Sequence, residues 1–409
     1  MRSKPGAALA VLLLVNILNF YDRLALGAVI EPIRREFGLN DTQLGALVTW
    51  FTVVLALAGV PLGRLADTGS RRRLLAVGIA IWAGLTGLAA VATSYAMLLV
   101  TRLGVGIGEA VCSPVAVSWI GDVVPARLRA RSMAWFMMAI PVGGLLSYSI
   151  TGPLAQAHGW RFALAVAAAP MVVLLPAVLW LREPDRWLAK SDGALGVIRV
   201  PGFWWICASG ALINFGLYGF ATFLSAFLTR YHGWTVGRAG VWVGIGTGVS
   251  GIVGALSAGA IGDRVGNRLT LCAAVSLVAS APMFAAFAMP PGRASEAVLL
   301  VMIGYGLLQM YYGLVYASIQ DAVPAELRAT AMATYLMVTY LGGASWGPMV
   351  MGRVSDLLAR QAATGGAVSE AARATGLHGA MFIIPSMAVV LAAVLWMAGR
   401  RIDAASPLR

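Results

Sequence analysis

Charge is scarce in this chain: Asp, Glu, Lys and Arg make up 11% of its 409 residues, while 59% are hydrophobic. A soluble globular domain carries about 25% charged residues, so water is not the main solvent here. Cysteine is nearly missing. Cys112, Cys207 and Cys272 are odd in number and lie inside apolar runs, which indicates neither a disulfide framework nor a metal cluster. His158, His232 and His378 fall in breaks between apolar runs and carry no ligand spacing. There is no H-E-x-x-H and no G-x-x-x-x-G-K-[ST], so direct use of ATP is not expected, and neither a metal nor a cofactor is called for. Gly246, Gly248 and Gly251 satisfy G-x-G-x-x-G but sit in an apolar run with no strand before them, which reads as helix packing.

What the chain has instead is long apolar runs. A bilayer crossing needs about 20 apolar residues, and such runs fall at 7–28, 43–64, 73–93, 96–120, 130–155, 162–181, 203–228, 238–261, 269–290, 296–320, 328–352 and 378–398. The fold class is therefore an all-α membrane protein of twelve transmembrane helices. The first run reads as a transmembrane helix rather than a cleavable leader. The polar stretch 182–202 divides the helices six and six, giving an N-terminal half at 1–181, a cytoplasmic linker, and a C-terminal half at 203–409. The net charge of +13 comes from Lys and Arg in the polar breaks, mostly on the side that bears both termini, so both termini are expected in the cytoplasm. The excess thus has a topological explanation, and no nucleic-acid partner is expected. A cell-membrane protein, bacterial and monomeric, is the expectation.

The halves repeat. The stretch from Asp122 to Gly144, DVVPARLRARSMAWFMMAIPVGG, aligns without gaps on Asp321 to Gly343, DAVPAELRATAMATYLMVTYLGG, with about half the positions identical. GRLADTGSRRR, from Gly63, is echoed by GAIGDRVGNR, from Gly259, each leaving the second helix of its half. The architecture is a pair of pseudo-symmetric six-helix units, and transporters built this way bind substrate near the bilayer midplane.

Gly63, Asp67, Arg71 and Arg72, repeated at Gly259, Asp263 and Arg268, resemble the signature loop of the major facilitator superfamily over the whole chain. The first loop departs from the pattern at Thr68 and Ser70. NFYDR at Asn19 to Arg23, RLGVGIGEA at Arg102 to Ala110, and REP at Arg182 to Pro184 resemble the Spinster-like branch. The resemblance implies that helices one, four, seven and ten line a central cavity. It also implies that the signature loops, with Arg129 and Arg328 of the repeat as partners, form a cytoplasmic conformational gate. Gly63 and Gly259 suit close helix approach there, and Asp67 and Asp263 suit helix capping or pairing with Arg.

Asp22 and Arg23 on the first helix, and Arg102 and Glu109 on the fourth, lie well inside apolar runs. A charge there costs at least about 2.5 kcal/mol, so such residues face a cavity and have partners. At 1.5 Å per residue, Asp22 and Arg102 each lie roughly 9 Å from the outer end and are expected to pair. Glu109 stands about 10 Å from Arg102 along the axis, too far for a direct bridge, and Asn16 lies at a similar depth. A poorly solvated carboxyl holds its proton more readily, so Glu109, with Asp22 responding, is the expected proton-coupling group. Arg23, Arg102, Asn16 and Asn19 are the expected substrate contacts on this wall. Neighbours on a helix point about 100° apart, so Asp22 and Arg23 cannot both face the cavity squarely. On the other wall, Asn214, Tyr218 and Thr222 share one helical face, and Gln309 and Tyr312 stand on helix ten. Asn214, Tyr218, Gln309 and Tyr312 suit the neutral part of a substrate, while packing between helices explains them equally well.

The function expected is secondary active, proton-coupled transport of an organic anion by alternating access, not an enzymatic reaction. The Spinster-like resemblance implies an amphiphilic, lipid-like anion such as a lysophospholipid or a sphingoid phosphate. The alternatives are a symporter for a small carboxylate or sugar acid, and a non-transporting receptor on the same fold. A static polar cluster that only orients helices also accounts for the four charges.

Overall fold

The computed structural model describes residues 5–183, 202–262, 264–323, 327–363 and 367–405, and the elements among them are helices. The first repeat comprises α1 (Pro5–Phe37), α2 (Asp41–Thr68), α3 (Arg71–Ala89), α4 (Tyr95–Glu109), α5 (Cys112–Val123), α6 (Ala126–Met137), α7 (Ala139–His158) and α8 (Trp160–Trp180). The second comprises α9 (Phe203–Arg230), α10 (Val236–Gly262), α11 (Arg268–Ala288), α12 (Ala294–Ala322) and α13 (Arg328–Thr339), then a π-helical turn (Tyr340–Ala344), α14 (Gly347–Ala362), α15 (Glu370–Met381) and α16 (Ile383–Ala405). Most of the linker expected at 182–202 lies outside the described residues.

Among the described residues, eleven segments are long and apolar enough to cross a bilayer on their own. The twelfth, expected at 328–352, is assembled from α13, the π turn and α14. Four runs expected to be continuous are interrupted, and each interruption has a proline three or four residues beyond it. A proline lacks the N–H that would bond the carbonyl four residues earlier, and its ring clashes with that carbonyl. Pro114 follows the break after Glu109, Pro141 the one at Met138, Pro348 the end of the π turn, and Pro385 the one at Phe382. The fourth run is thus interrupted next to Glu109. Between the eleventh and twelfth spans, α14 extends to Ala362, and α15 starts at Glu370 with Ser369 Oγ accepting from Ala372 N–H.

The chain forms two compact units. The first contains Met1–Asn40, Ala46–Leu188 and Trp234–Ile245. Inside it, Gly106 and Gly108 explain the glycine repeat of α4. A Cβ on Gly106 would stand 2.8 Å from the Phe51 carbonyl, and one on Gly108 would stand 2.7 Å from that of Gly78. Any larger residue would push α4 off α2 and α3.

The second unit contains Asp41–Gly45, Ala189–Gly233 and Gly246–Arg409, so the first turn of α2 belongs here by its contacts. Buried Asp41 takes both carboxylate oxygens to Arg230 Nη1, at 2.8 and 2.9 Å, and accepts from Ser355 Oγ at 2.6 Å. Asp356 accepts from the N–H groups of Asp41 and Thr42 at 3.0 and 2.8 Å. A helix leaves its first N–H groups without intrahelical partners, and here a carboxylate from α14 satisfies two of them.

Candidate functional site

The four membrane-embedded charges meet in the first unit. Arg102 Nη1 stands 3.5 Å from Asp22 Oδ2, the pairing that equal depth predicts. Arg23 Nε donates to Glu109 Oε2 at 2.6 Å. Asp22, Arg102 and Glu109 are buried, and the Arg23 side chain is 8% exposed. This corrects two expectations. Glu109 takes its cation from Arg23 rather than an amide from Asn16, whose Nδ2 donates to the Phe136 carbonyl at 3.0 Å. Asp22 and Arg23 both engage α4, because an arginine side chain is long enough to close the angle that separates neighbours on a helix. The Arg23 guanidinium also lies over the rings of Phe20 and Phe51, at 5.1 and 6.0 Å from their centroids, an arrangement that favours a cation with little water. Asn19 is fully buried beside these pairs.

In the second unit the corresponding helices carry no such charges. Tyr312 OH donates to Asn214 Oδ1 at 3.0 Å, which joins the expected faces of α9 and α12, and Asn214 Nδ2 donates to the Gly210 carbonyl. Gln309 Nε2 instead reaches Tyr305 on its own helix, at 3.1 Å. Tyr218 packs edge-on against Tyr340 of the π turn, with centroids 6.2 Å apart. Behind them Ser209, Tyr311 and Tyr335 share hydroxyl hydrogen bonds of 2.7 and 3.1 Å. Sequence reasoning missed Tyr311, Tyr335 and Tyr340. For Tyr311 the signal was present in the tyrosine-rich run of α12; Tyr335 on α13 and Tyr340 in the π turn stand outside it.

At the signature loops the described ion pairs join residues that the sequence reading had not paired. Arg71, buried, bonds Asp122 at 2.5 Å, and Arg268 bonds Asp321. Both acidic partners head the duplicated stretch, so the repeat itself marked them. Arg328 donates to the Gln320 carbonyl at 2.9 Å and to that of Val323 at 3.4 Å. The side chains of Asp67 and Arg129, and Asp263, lie outside what the structure describes. Among the described residues, a Cβ on Gly259 would meet nothing within 4 Å, and one on Gly63 would make ordinary contact with Pro114. Glu183, from the REP motif, caps α3 by accepting from Ser70 Oγ and from the Arg72 N–H, the latter at 2.7 Å. Arg72 Nη1 donates to the Leu179 carbonyl at 3.4 Å.

Comparison with known proteins agrees with this architecture. The profile of the Major Facilitator Superfamily matches residues 12–348. An MFS-type efflux pump of Mycolicibacterium smegmatis is 32% identical over 97% of this chain and 93% of its own length. The sphingosine-1-phosphate transporter SPNS2 of Danio rerio is 27% identical over 88% of this chain and 78% of its own. Among solved structures, a bacterial homologue of the human lysosomal transporter Spinster, in an inward-facing and occupied conformation, is 26% identical with a TM-score of 0.89, covering all of both chains. With its duplicated six-helix pattern, its membrane-embedded Asp-Arg and Arg-Glu pairs and these relatives, the chain belongs to the Major Facilitator Superfamily and, within it, to the Spinster-like branch of multi-pass membrane transporters.

Proposed function

We propose that the protein is a proton-coupled secondary transporter of an amphiphilic organic anion, working by alternating access. The observation that carries this reading is the pairing of two buried carboxylates with two buried arginines, Asp22 with Arg102 and Glu109 with Arg23. As long as both pairs are intact, the site is electrically balanced and offers an anion little. A proton on Glu109 neutralises that carboxyl and leaves the Arg23 guanidinium short of a counter-charge in a medium where an isolated charge costs at least about 2.5 kcal/mol. An anionic headgroup supplies the missing charge, so proton and anion favour each other's binding. Loss of the proton restores the Arg23–Glu109 bond and competes the anion away. Asp22 and Arg102, at 3.5 Å, form the looser pair and respond second. The neutral, tyrosine-lined surface of Asn214, Tyr218 and Tyr312 suits the uncharged part of the cargo. Sphingosine-1-phosphate, carried by the SPNS2 relative, is a reasonable first probe.

The test is uptake into proteoliposomes loaded with a pH-sensitive dye, screening sphingosine-1-phosphate and lysophospholipids against small carboxylates. Proton movement tied to one of these and lost in both Glu109→Gln and Arg102→Ala supports the reading and names the substrate class. Labelled substrate that crosses without a proton signal, equally in wild type and Glu109→Gln, replaces it with a uniporter in which Glu109 is structural.

A further inference from the structure

Beside the two ion pairs, the first unit buries an unusual number of polar atoms that have no hydrogen-bond partner among the described residues. They are Asn16 Oδ1, both side-chain polar atoms of Asn19, Asp22 Oδ1, Nε and Nη2 of Arg102, and Glu109 Oε1. The five residues are at most 2% exposed. Leaving a buried polar atom unsatisfied costs about 1–3 kcal/mol, so so many at one place require a common partner. The set contains donors, on Asn19 and Arg102, and acceptors, on Asn16, Asn19, Asp22 and Glu109. A cation would satisfy only the acceptors and an anion only the donors. Water satisfies both, and buried water is held by two to four such groups.

The order of these residues along the helices gives that water a direction. The first and fourth spans run oppositely across the bilayer, and Asp22 is level with Arg102 through their contact. From that level toward the termini side, Asn19 lies about 4.5 Å along α1, Asn16 about 9 Å, and Glu109 about 10 Å along α4, at 1.5 Å per residue. The two asparagines therefore occupy the axial gap between Asp22 and Glu109, which is too long for a direct hydrogen bond.

We propose that Asn19, with Asn16, holds a chain of bound water that joins Asp22 to Glu109 and conducts a proton between them. This rests on the proton-coupled reading and extends it from two carboxyls to the path between them. It also moves Asn19 from substrate contact to positioning residue. In the transfer, the O–H bond at Glu109 Oε1 breaks and one forms at Asp22 Oδ1. Each intervening water accepts one proton and gives up another, so one positive charge moves and no oxygen does. The charged groups around the path are Asp22 and Arg23 on α1 and Arg102 and Glu109 on α4. Tyr21 and Cys112 are the neighbouring groups that can also titrate.

Two measurements on the purified full chain, without substrate, test the proposal. In radiolytic hydroxyl-radical footprinting, water held in place labels adjacent side chains even when they are buried. Cys112, fully buried and one turn past Glu109, is expected to be labelled in wild type and several-fold less in Asn19→Leu. A Cys112 left unlabelled in wild type overturns the water chain, whether or not any variant folds. In infrared spectroscopy, the protonated-carboxyl band that Glu109→Gln removes is followed after transfer from H2O to D2O. Its exchange is expected to slow at least tenfold in Asn19→Leu and to stay within about threefold of wild type in Asn19→Ser, which keeps a polar group and room for water. Equal exchange in wild type and Asn19→Leu overturns the proposal, and so does an equal slowing in Asn19→Leu and Asn19→Ser. A hydrated, exchanging seam in a protein whose proteoliposomes show no proton-driven uptake would defeat the transport reading alone.

Discussion

The two repeats descend from one unit yet differ where they face the membrane interior. In the first, α1 and α4 bring four charges into two ion pairs. In the second, α9 and α12 bring together asparagine and tyrosine, with Tyr312 on Asn214 and Tyr218 against Tyr340. At the loops the repeats still agree, since Arg71 on Asp122 is mirrored by Arg268 on Asp321. Duplication has kept the contacts that fasten neighbouring helices, while the buried polar contacts have diverged. One repeat holds paired carboxylates and arginines, and the other holds hydrogen bonds and aromatic surface.

The sharpest way to break the comparison is to remove the carboxyl proposed to carry the proton from the charged side. Glu109→Gln keeps an acceptor for Arg23 but holds no exchangeable charge. Proton-driven uptake is expected to fall by up to about 100-fold, the upper range of coupling free energies, while counterflow exchange without a pH gradient persists. Next in size is Arg102→Ala, which strands buried Asp22. A lost partner in a buried pair costs about 3–5 kcal/mol, read as a lowered midpoint in thermal unfolding in detergent, and the double variant with Asp22→Asn should recover most of it. On the neutral side, Tyr312→Phe removes one hydrogen bond to Asn214. It should cost about 1 kcal/mol and leave the pH dependence of uptake unchanged. A shift in that dependence would blur the division of labour. The loop pairs should differ least in kind but clearly in size. Arg71 and Asp122 are 6% and 11% exposed, against 28% and 66% for Arg268 and Asp321. Arg268→Ala is therefore expected to cost less than about 1 kcal/mol, and Arg71→Ala more than Arg268→Ala in the same unfolding assay.

Much of this was legible in the sequence because bilayers impose simple rules. Apolar runs of fixed length give the helices, the gapless repeat gives the duplication, and equal depth gives Asp22 with Arg102. The helix interruptions were not, because prolines follow the breaks at Pro114, Pro141, Pro348 and Pro385 while Pro32, Pro61, Pro153, Pro170, Pro176 and Pro282 sit inside unbroken helices. The Arg23–Glu109 bond was not, because helical angle argues against neighbouring residues sharing a target while side-chain length decides otherwise. Nor was Asp356 at the start of α2, since it lies more than 300 positions from the N–H groups it caps and no local pattern announces such a cap. Among the described residues, a Cβ would crowd a neighbouring backbone at Gly106 and Gly108 and not at Gly63 or Gly259, since a glycine in a transmembrane helix need not mark a close contact.

The π turn at Tyr340–Ala344 has a meaning as an insertion. Such a turn accommodates one extra residue in a helix and rotates everything beyond it by about 100° relative to an uninterrupted count. The repeats align without gaps from Asp122 with Asp321 to Gly144 with Gly343, and that numbering would next match Gly152 with Met351. The packing says otherwise: Gly152 lies against the backbone of Gly240 near the start of α10, and Gly352 lies against that of Asp41 at the start of α2. The counterpart has moved by one position, the length of the insertion. Deleting Gly342 should therefore convert the π turn to α-helix and leave Gly352 against Asp41, whereas deleting a residue from the α-helix beyond the turn should swing Gly352 away from it.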